Sequence, residues 1–250
     1  MTLDGIKKND TEERKGKMKA KERIICALDV PGTGEAWQLV EELDGVVDFF
    51  KVGMLLYLGG GREFVASLLS RGKKVFLDLK LYDVPDTVGP TVRQVAAMGV
   101  DFLTVHGHDA ILQRAAEEAA GSNLKILGVT VLTSFDQADL EAMGFPCSVE
   151  DLVLHRAANA RRRGCSGVVA SAREAALIRQ KLGPDLIVVT PGIRPAGASL
   201  GTHKRPTTPG EALRAGADYL VVGQPIIKAP DPRRAAQAII EELEREEERG

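Results

Sequence analysis

The stretch KVFLDLKLYDVPDTVGPTVRQVAAMGVDFLTVHG, residues 74–107, decides the fold. It holds a near-continuous apolar run (KVFLDLK), an amphipathic pattern over 88–98 and a second apolar run (DFLTVHG). Apolar runs that do not alternate mark strands buried on both faces, and a helix between two such strands marks a parallel crossover. The same unit recurs in both directions. The runs are RIICALDV, VDFFKVG, KVFLDLK, DFLTVHG, KILGVTVL, GVVAS, LIVVTPG and YLVVGQP, and helical patterns cover 35–43, 61–69, 88–98, 110–120, 149–161, 172–181, 209–215 and 232–244. Eight such units, with no GxGxxG after the first strand, predict an α/β protein of the closed (β/α)8 TIM-barrel type rather than a doubly wound sheet.

The 250 residues suit one barrel. Residues 1–22 are polar and charge-rich and read as a disordered leader, with Met18 an alternative start, ahead of a single catalytic domain over 23–250. A formal net charge of −2 excludes a general nucleic-acid binder, which needs a basic stripe. No apolar run is long enough to span a bilayer and no signal-peptide core is present, so the expected location is cytoplasmic. Cys26, Cys147 and Cys165 are far apart and form no CxxC pair, which speaks against a zinc site or a disulfide framework.

Chemistry in such a barrel sits at the C-terminal ends of the strands, so the polar residues that close each run are the candidates. Asp29 closes the first run, Lys51 lies near the end of the second, and Asp78 and Lys80 close the third, with Asp83 in the loop beyond. Positions i and i+2 on a strand share a face, so Asp78 and Lys80 should both point to the barrel mouth. A lysine among acids keeps its proton, which suits donation to a carbanion and not Schiff-base formation. The alternative is an ion-pair network that only closes the barrel top, and Asp-x-Lys alone does not choose between the two. His106, His108 and Asp109 end the fourth run without a third ligand at a defined spacing; packing explains them better than a metal. His155 reads as a packed or surface residue, and Cys26 and Cys165 as small core residues.

FLDLKLYDVPDTV resembles the DxKxxDxxxT signature of the orotidine 5′-monophosphate decarboxylase family, in its bacterial form. The likeness continues through ALDV, FKVG, VTVLTS, VTPGIRP and VVGQPI, in order and at the right strand ends, from about residue 24 to 227. DxKxxD alone marks a wider superfamily that includes hexulose-phosphate synthases; PGIRP together with LTS is more specific. The resemblance implies a cofactor-free, metal-free decarboxylation that yields UMP in pyrimidine biosynthesis, in a homodimer with shared sites. It implies that Lys80 protonates C6 and that Asp78 faces the substrate carboxylate. Asp83 and Thr87 would come from the partner subunit. Asp29 and Lys51 would hold ribose hydroxyls, with Lys51 also joining the charged chain. Thr133, assisted by Ser134, would bond the pyrimidine ring.

Arg194 in PGIRP would hold the phosphate, as would backbone N–H groups near Gly223. Two phosphate-side positions depart from the family pattern: Gln224 stands where arginine is usual, and His203 where glutamine is usual. Asp86 replaces a common asparagine. Two other readings compete. One is a metal-dependent aldolase-like member of the superfamily; the other is a barrel that binds nucleotide or phosphate without turnover.

Overall fold

The computed structural model describes residues 18–195 and 207–249. Strands β1 (Ile24–Ala27), β2 (Phe49–Gly53), β3 (Lys74–Leu81), β4 (Phe102–His106), β5 (Lys125–Val129), β6 (Gly167–Val169), β7 (Ile187–Thr190) and β8 (Tyr219–Val222) form a closed parallel barrel in sequence order. β1 closes the ring by pairing with both β2 and β8. Each expected apolar run contributes one strand. The expected helical patterns become α1 (Thr33–Glu42), α2 (Arg62–Ser70), α3 (Pro85–Met98), α4 (Asp109–Ala119), α6 (Val149–Arg162), α7 (Ala172–Leu182), α8 (Pro209–Arg214) and α10 (Pro232–Glu247). Three short elements escape the sequence pattern: α5 (Gln137–Ala142), α9 (Gln224–Ile227), and a helical turn at Met54–Leu56 that runs into a π-helical segment, Tyr57–Gly61. Among the described residues no helix is long and apolar enough to cross a membrane.

Local chemistry sets the helix ends. α3 begins with Pro85 in its first turn, where a missing N–H costs nothing, and stops at Gly99, whose φ of 84° is open to glycine. Ser148 caps α6 by accepting from the Asp151 N–H. At the N-terminal end, Ala20–Arg23 forms a 3-10 turn with Ala20 and Arg23 buried. Arg23 Nε lies 2.7 Å from Glu247 Oε1 on α10. The fold therefore takes in residues 20–22, which composition alone assigns to the leader: Ala20 packs into the core and anchors its charged neighbours.

Side-chain parity then places the site. Ile25, Ala27, Phe49, Phe76, Phe102, Leu127, Val189 and Val221 point into the barrel and form a plug of their own, separate from the larger core between strands and helices. Phe102 packs edge-on against Phe49 (centroids 5.0 Å), Phe76 (5.9 Å) and Tyr219 (5.1 Å). Stepping two residues onward keeps the same inward face. Phe49 thus leads to Lys51, Phe76 to Asp78, Ala27 to Asp29, Phe102 to Thr104 and Val221 to Gly223. The apolar plug closes the bottom of the barrel, and on β1 to β4 the next inward layer is polar.

Burial also sorts the thiols. It pushes Cys26 up to about 12, reinforced by Asp29 against an opposing effect of Lys51, and it pushes Cys165 to about 12. Cys147 is only half-buried. The native protein should therefore alkylate at Cys147 alone with iodoacetamide near pH 8, and at all three cysteines when unfolded, as peptide mass mapping would show. Native labelling of Cys26 would contradict this packing.

Candidate active site

The C-terminal strand ends enclose a cavity of about 420 Å³. One side carries a row of alternating charge. Lys51 Nζ lies 2.8 Å from Asp29 Oδ1 and 3.6 Å from Asp78 Oδ2, and Lys80 Nζ lies 2.8 Å from Asp78 Oδ1. Lys51 is buried, and Asp29 opens to solvent. Burial opposes charge on Lys51 and on Asp78, but the contacts overcome it. Asp78 and Asp29 hold the Lys51 ammonium above the usual lysine range. Lys51 and Lys80, helped by hydrogen bonds from Lys80 and Thr104, hold the Asp78 carboxyl below the usual carboxylate range. Both groups are thus ionised near neutral pH.

Asp78 and Lys80 both line the cavity, though not by plain strand alternation. β3 and β4 pair at Leu77↔Leu103 and resume only at Leu81↔Val105, so β3 carries a bulge at 78–80. Lys80 has φ 49°, the one positive φ outside glycine among the described residues. Bulges next to active sites commonly re-aim a side chain. Here the bulge turns Lys80 back over Asp78. The Lys80 N–H donates to Thr104 Oγ1 at 2.9 Å, and that hydroxyl donates to Asp78 Oδ1 at 2.9 Å. Thr104 is fully buried, and sequence reasoning missed it.

The opposite wall is apolar below and polar above. Val129, Val131, Val169 and Val221 give an apolar floor beside Thr133. Arg194, after β7, and Gly223 and Gln224, after β8, line the same cavity. Arg194 is 6 % exposed, which rules out a surface ion pair as its whole role, and burial pushes its guanidinium down from the usual arginine range. A Cβ at Gly223 would sit in ordinary contact, 3.4 Å from Ala27 Cβ and 3.5 Å from Asp29 Oδ2, so this backbone passes close beside the charged row. Gln224 is exposed and opens α9. His203 lies outside the described residues.

Asp83 and Thr87 stand apart from this cavity. Both are exposed, and with Lys80, Tyr82 and Thr91 they line a second, shallower depression beside it. Asp83 Oδ1 accepts from the Val84 N–H at 2.6 Å. Next to this depression His106 packs tilted against Tyr82, ring centroids 5.1 Å apart, and burial, Arg156 and Lys80 push its pKa below the usual range. Arg156, also unanticipated from sequence, donates to the Thr130 carbonyl and so steadies the end of β5 below Thr133. Asp109 pairs with Arg162 and Arg163. Among the described residues no group of three or more His, Cys, Asp or Glu could hold a metal ion.

The fold sets this charged row at the ends of the first three strands of a (β/α)8 barrel. Residues 22–239 match the model of the Orotidine 5′-phosphate decarboxylase / HUMPS family. A crystal structure of orotidine 5′-phosphate decarboxylase from Lactobacillus acidophilus is similar at 34% identity and a TM-score of 0.77, covering 88% of this chain and 98% of that one. An uncharacterized conserved protein from Geobacillus kaustophilus gives 33% and 0.76, covering 88% and 99%. Orotidine 5′-phosphate decarboxylase from Pyrococcus horikoshii OT3 gives 28% and 0.71, again covering 88% and 99%. The chain belongs to the orotidine 5′-phosphate decarboxylase / HUMPS family and is an enzyme of the decarboxylase kind.

Proposed function

We propose that the protein converts orotidine 5′-monophosphate to UMP, in the cytoplasm, as a step of pyrimidine biosynthesis. The observation that carries the reading is the Asp29–Lys51–Asp78–Lys80 row on one side of a cavity that Arg194 lines on the other. Loss of carbon dioxide from C6 leaves a vinyl-type carbanion with little delocalisation. Fixed charge aimed at that carbon is the effect such a reaction needs most. Lys80 supplies it and then delivers the proton to C6. Asp78 lies against the departing carboxylate and keeps Lys80 in place. Lys51 and Asp29 hold the ribose, and Thr133, with Ser134 beside it, bonds the ring. Arg194, the backbone near Gly223, Gln224 and His203 receive the phosphate. Asp83 and Thr87 complete the site of a second copy of the chain, in a homodimer. The chemistry draws on no metal or cofactor.

The test is an ultraviolet assay of purified protein with orotidine 5′-monophosphate, with and without EDTA. Turnover that survives chelation supports the reading. Activity lost to EDTA and restored by magnesium would favour aldolase-like chemistry, and tight nucleotide binding without turnover would favour a binding protein.

Gln224 offers a sharper check on the phosphate end. A guanidinium makes charge-assisted, often bidentate contacts to phosphate, whereas an amide offers neutral donors. Hydrogen bonds to charged groups contribute about 1.5–3 kcal/mol, which converts to roughly 10- to 150-fold in binding. Gln224→Arg should therefore raise kcat/KM for the nucleotide by about 10-fold or more, and leave the reaction of the nucleoside lacking phosphate unchanged. An unchanged kcat/KM in a folded variant would mean the pocket is built around glutamine.

A further inference from the structure

We propose that Thr104 is a positioning residue for the decarboxylation, holding Lys80 in its bulged, left-handed conformation through a closed ring of hydrogen bonds with Asp78. The inference rests on the reading of Lys80 and Asp78 as the reacting pair.

Between Leu77 and Leu81 the ladder to β4 is interrupted, and three residues of β3 face the single inward residue Thr104. The interruption deprives the Lys80 N–H of a ladder carbonyl, and a buried donor needs a partner. Thr104 Oγ1 is that partner at 2.9 Å. Having accepted that hydrogen bond, the hydroxyl donates its own to Asp78 Oδ1 at 2.9 Å, and the same carboxylate oxygen accepts from Lys80 Nζ at 2.8 Å. The ring therefore ties the backbone of Lys80 to its own ammonium by way of Thr104 and Asp78. The direction of each bond is fixed, because a backbone N–H and an ammonium only donate: Thr104 Oγ1 must accept from the Lys80 N–H, and its single O–H is left for Asp78 Oδ1.

Thr104 is 0% exposed, which leaves solvent no access to replace the hydroxyl. A lysine at φ 49° holds a conformation that its Cβ disfavours. Such strain persists only where the surroundings over-determine it, and it clusters at functional sites. Released from Thr104, the segment would relax toward extended backbone and carry Nζ away from the reacting carbon. A misplacement of about 1 Å in a reacting group costs on the order of 10²-fold in rate. Ligand recognition would be spared, since Asp29, Thr133 and Arg194 do not bond to Thr104.

The experiment compares Thr104→Val, which keeps the shape and loses the hydroxyl, with Thr104→Ser, which keeps the hydroxyl. For Thr104→Val, kcat should fall on the order of 10²-fold with KM little changed. The acidic limb of its kcat–pH profile should move to higher pH, because Asp78 loses a hydrogen bond that favours its charged form. Thr104→Ser should restore most of kcat and the original limb. If Thr104→Val does not fold, Thr104→Ser and Thr104→Ala form the same comparison, with the serine variant expected to be the active one. Equal kcat in the hydroxyl and non-hydroxyl variants, or a loss confined to KM, would overturn the role. Those outcomes require an active wild-type enzyme; wild-type protein that leaves orotidine 5′-monophosphate unchanged would overturn the functional reading instead.

Discussion

Lys80→Ala is expected to abolish turnover of orotidine 5′-monophosphate while leaving the barrel folded. General acid catalysis contributes about 10²- to 10⁴-fold, and a single preorganised group facing developing charge contributes about 10²- to 10³-fold. Lys80 is asked to do both, so the combined loss should be on the order of 10⁴-fold or more. Folding should survive because Asp78 keeps other partners: the Thr104 hydroxyl at 2.9 Å and Lys51 Nζ at 3.6 Å. Rate measurements with excess enzyme, alongside a thermal melt, separate the effects. Near-normal decarboxylation by a folded Lys80→Ala protein would sink the mechanism, and a variant that loses activity only by unfolding would return Lys80 to a structural ion pair.

The second large effect is a gain from two inactive proteins. Asp83 and Thr87 lie outside the main cavity yet share a depression with Lys80, and the flanking Tyr82 (69%) and Val84 (60%) are unusually exposed for such large apolar side chains. A second copy reaching over this edge would cover them. In a two-fold dimer each Asp83 would then serve the other subunit's Lys80. Mixing Lys80→Ala with Asp83→Ala subunits should assemble one intact site per heterodimer. Random pairing makes half the dimers mixed, so roughly a quarter of wild-type specific activity should return. Demonstrated subunit exchange without recovered activity would assign Asp83 to its own subunit.

The barrel was legible because its strands are buried on both faces: β4 reads as five largely apolar residues between a charged turn and a glycine, and only a parallel core explains eight such runs. Asp29, Lys51, Asp78 and Lys80 were legible for the same reason, as charges closing runs that should hold none. Thr104 was hidden by its own propensity. A threonine inside FLTVH is an ordinary strand former. Its importance depends on the bulge in the neighbouring strand, and register between strands leaves no mark in either sequence alone. α9 escaped because four residues are too few to show a period. Composition groups residues 20–22 with the polar residues before them, whereas in the structure Ala20 is buried against the core.

The four charges of the row end or follow β1, β2 and β3, whereas Thr133, Arg194, Gly223 and Gln224 stand beyond β5, β7 and β8. One arc of the ring thus carries the charged row, and the other arc carries the side chains and loops proposed to receive the substrate. Strand pairing is complete below the loops, so replacing a loop on the second arc leaves the ladders of the first untouched. Changes after β5 and β7 can accumulate on that second arc without touching the charged row, whereas β8 adjoins β1 and its loop lies beside Asp29. Such a barrel is open to re-specification by loop grafting after β5 and β7, with the charged row carried over intact.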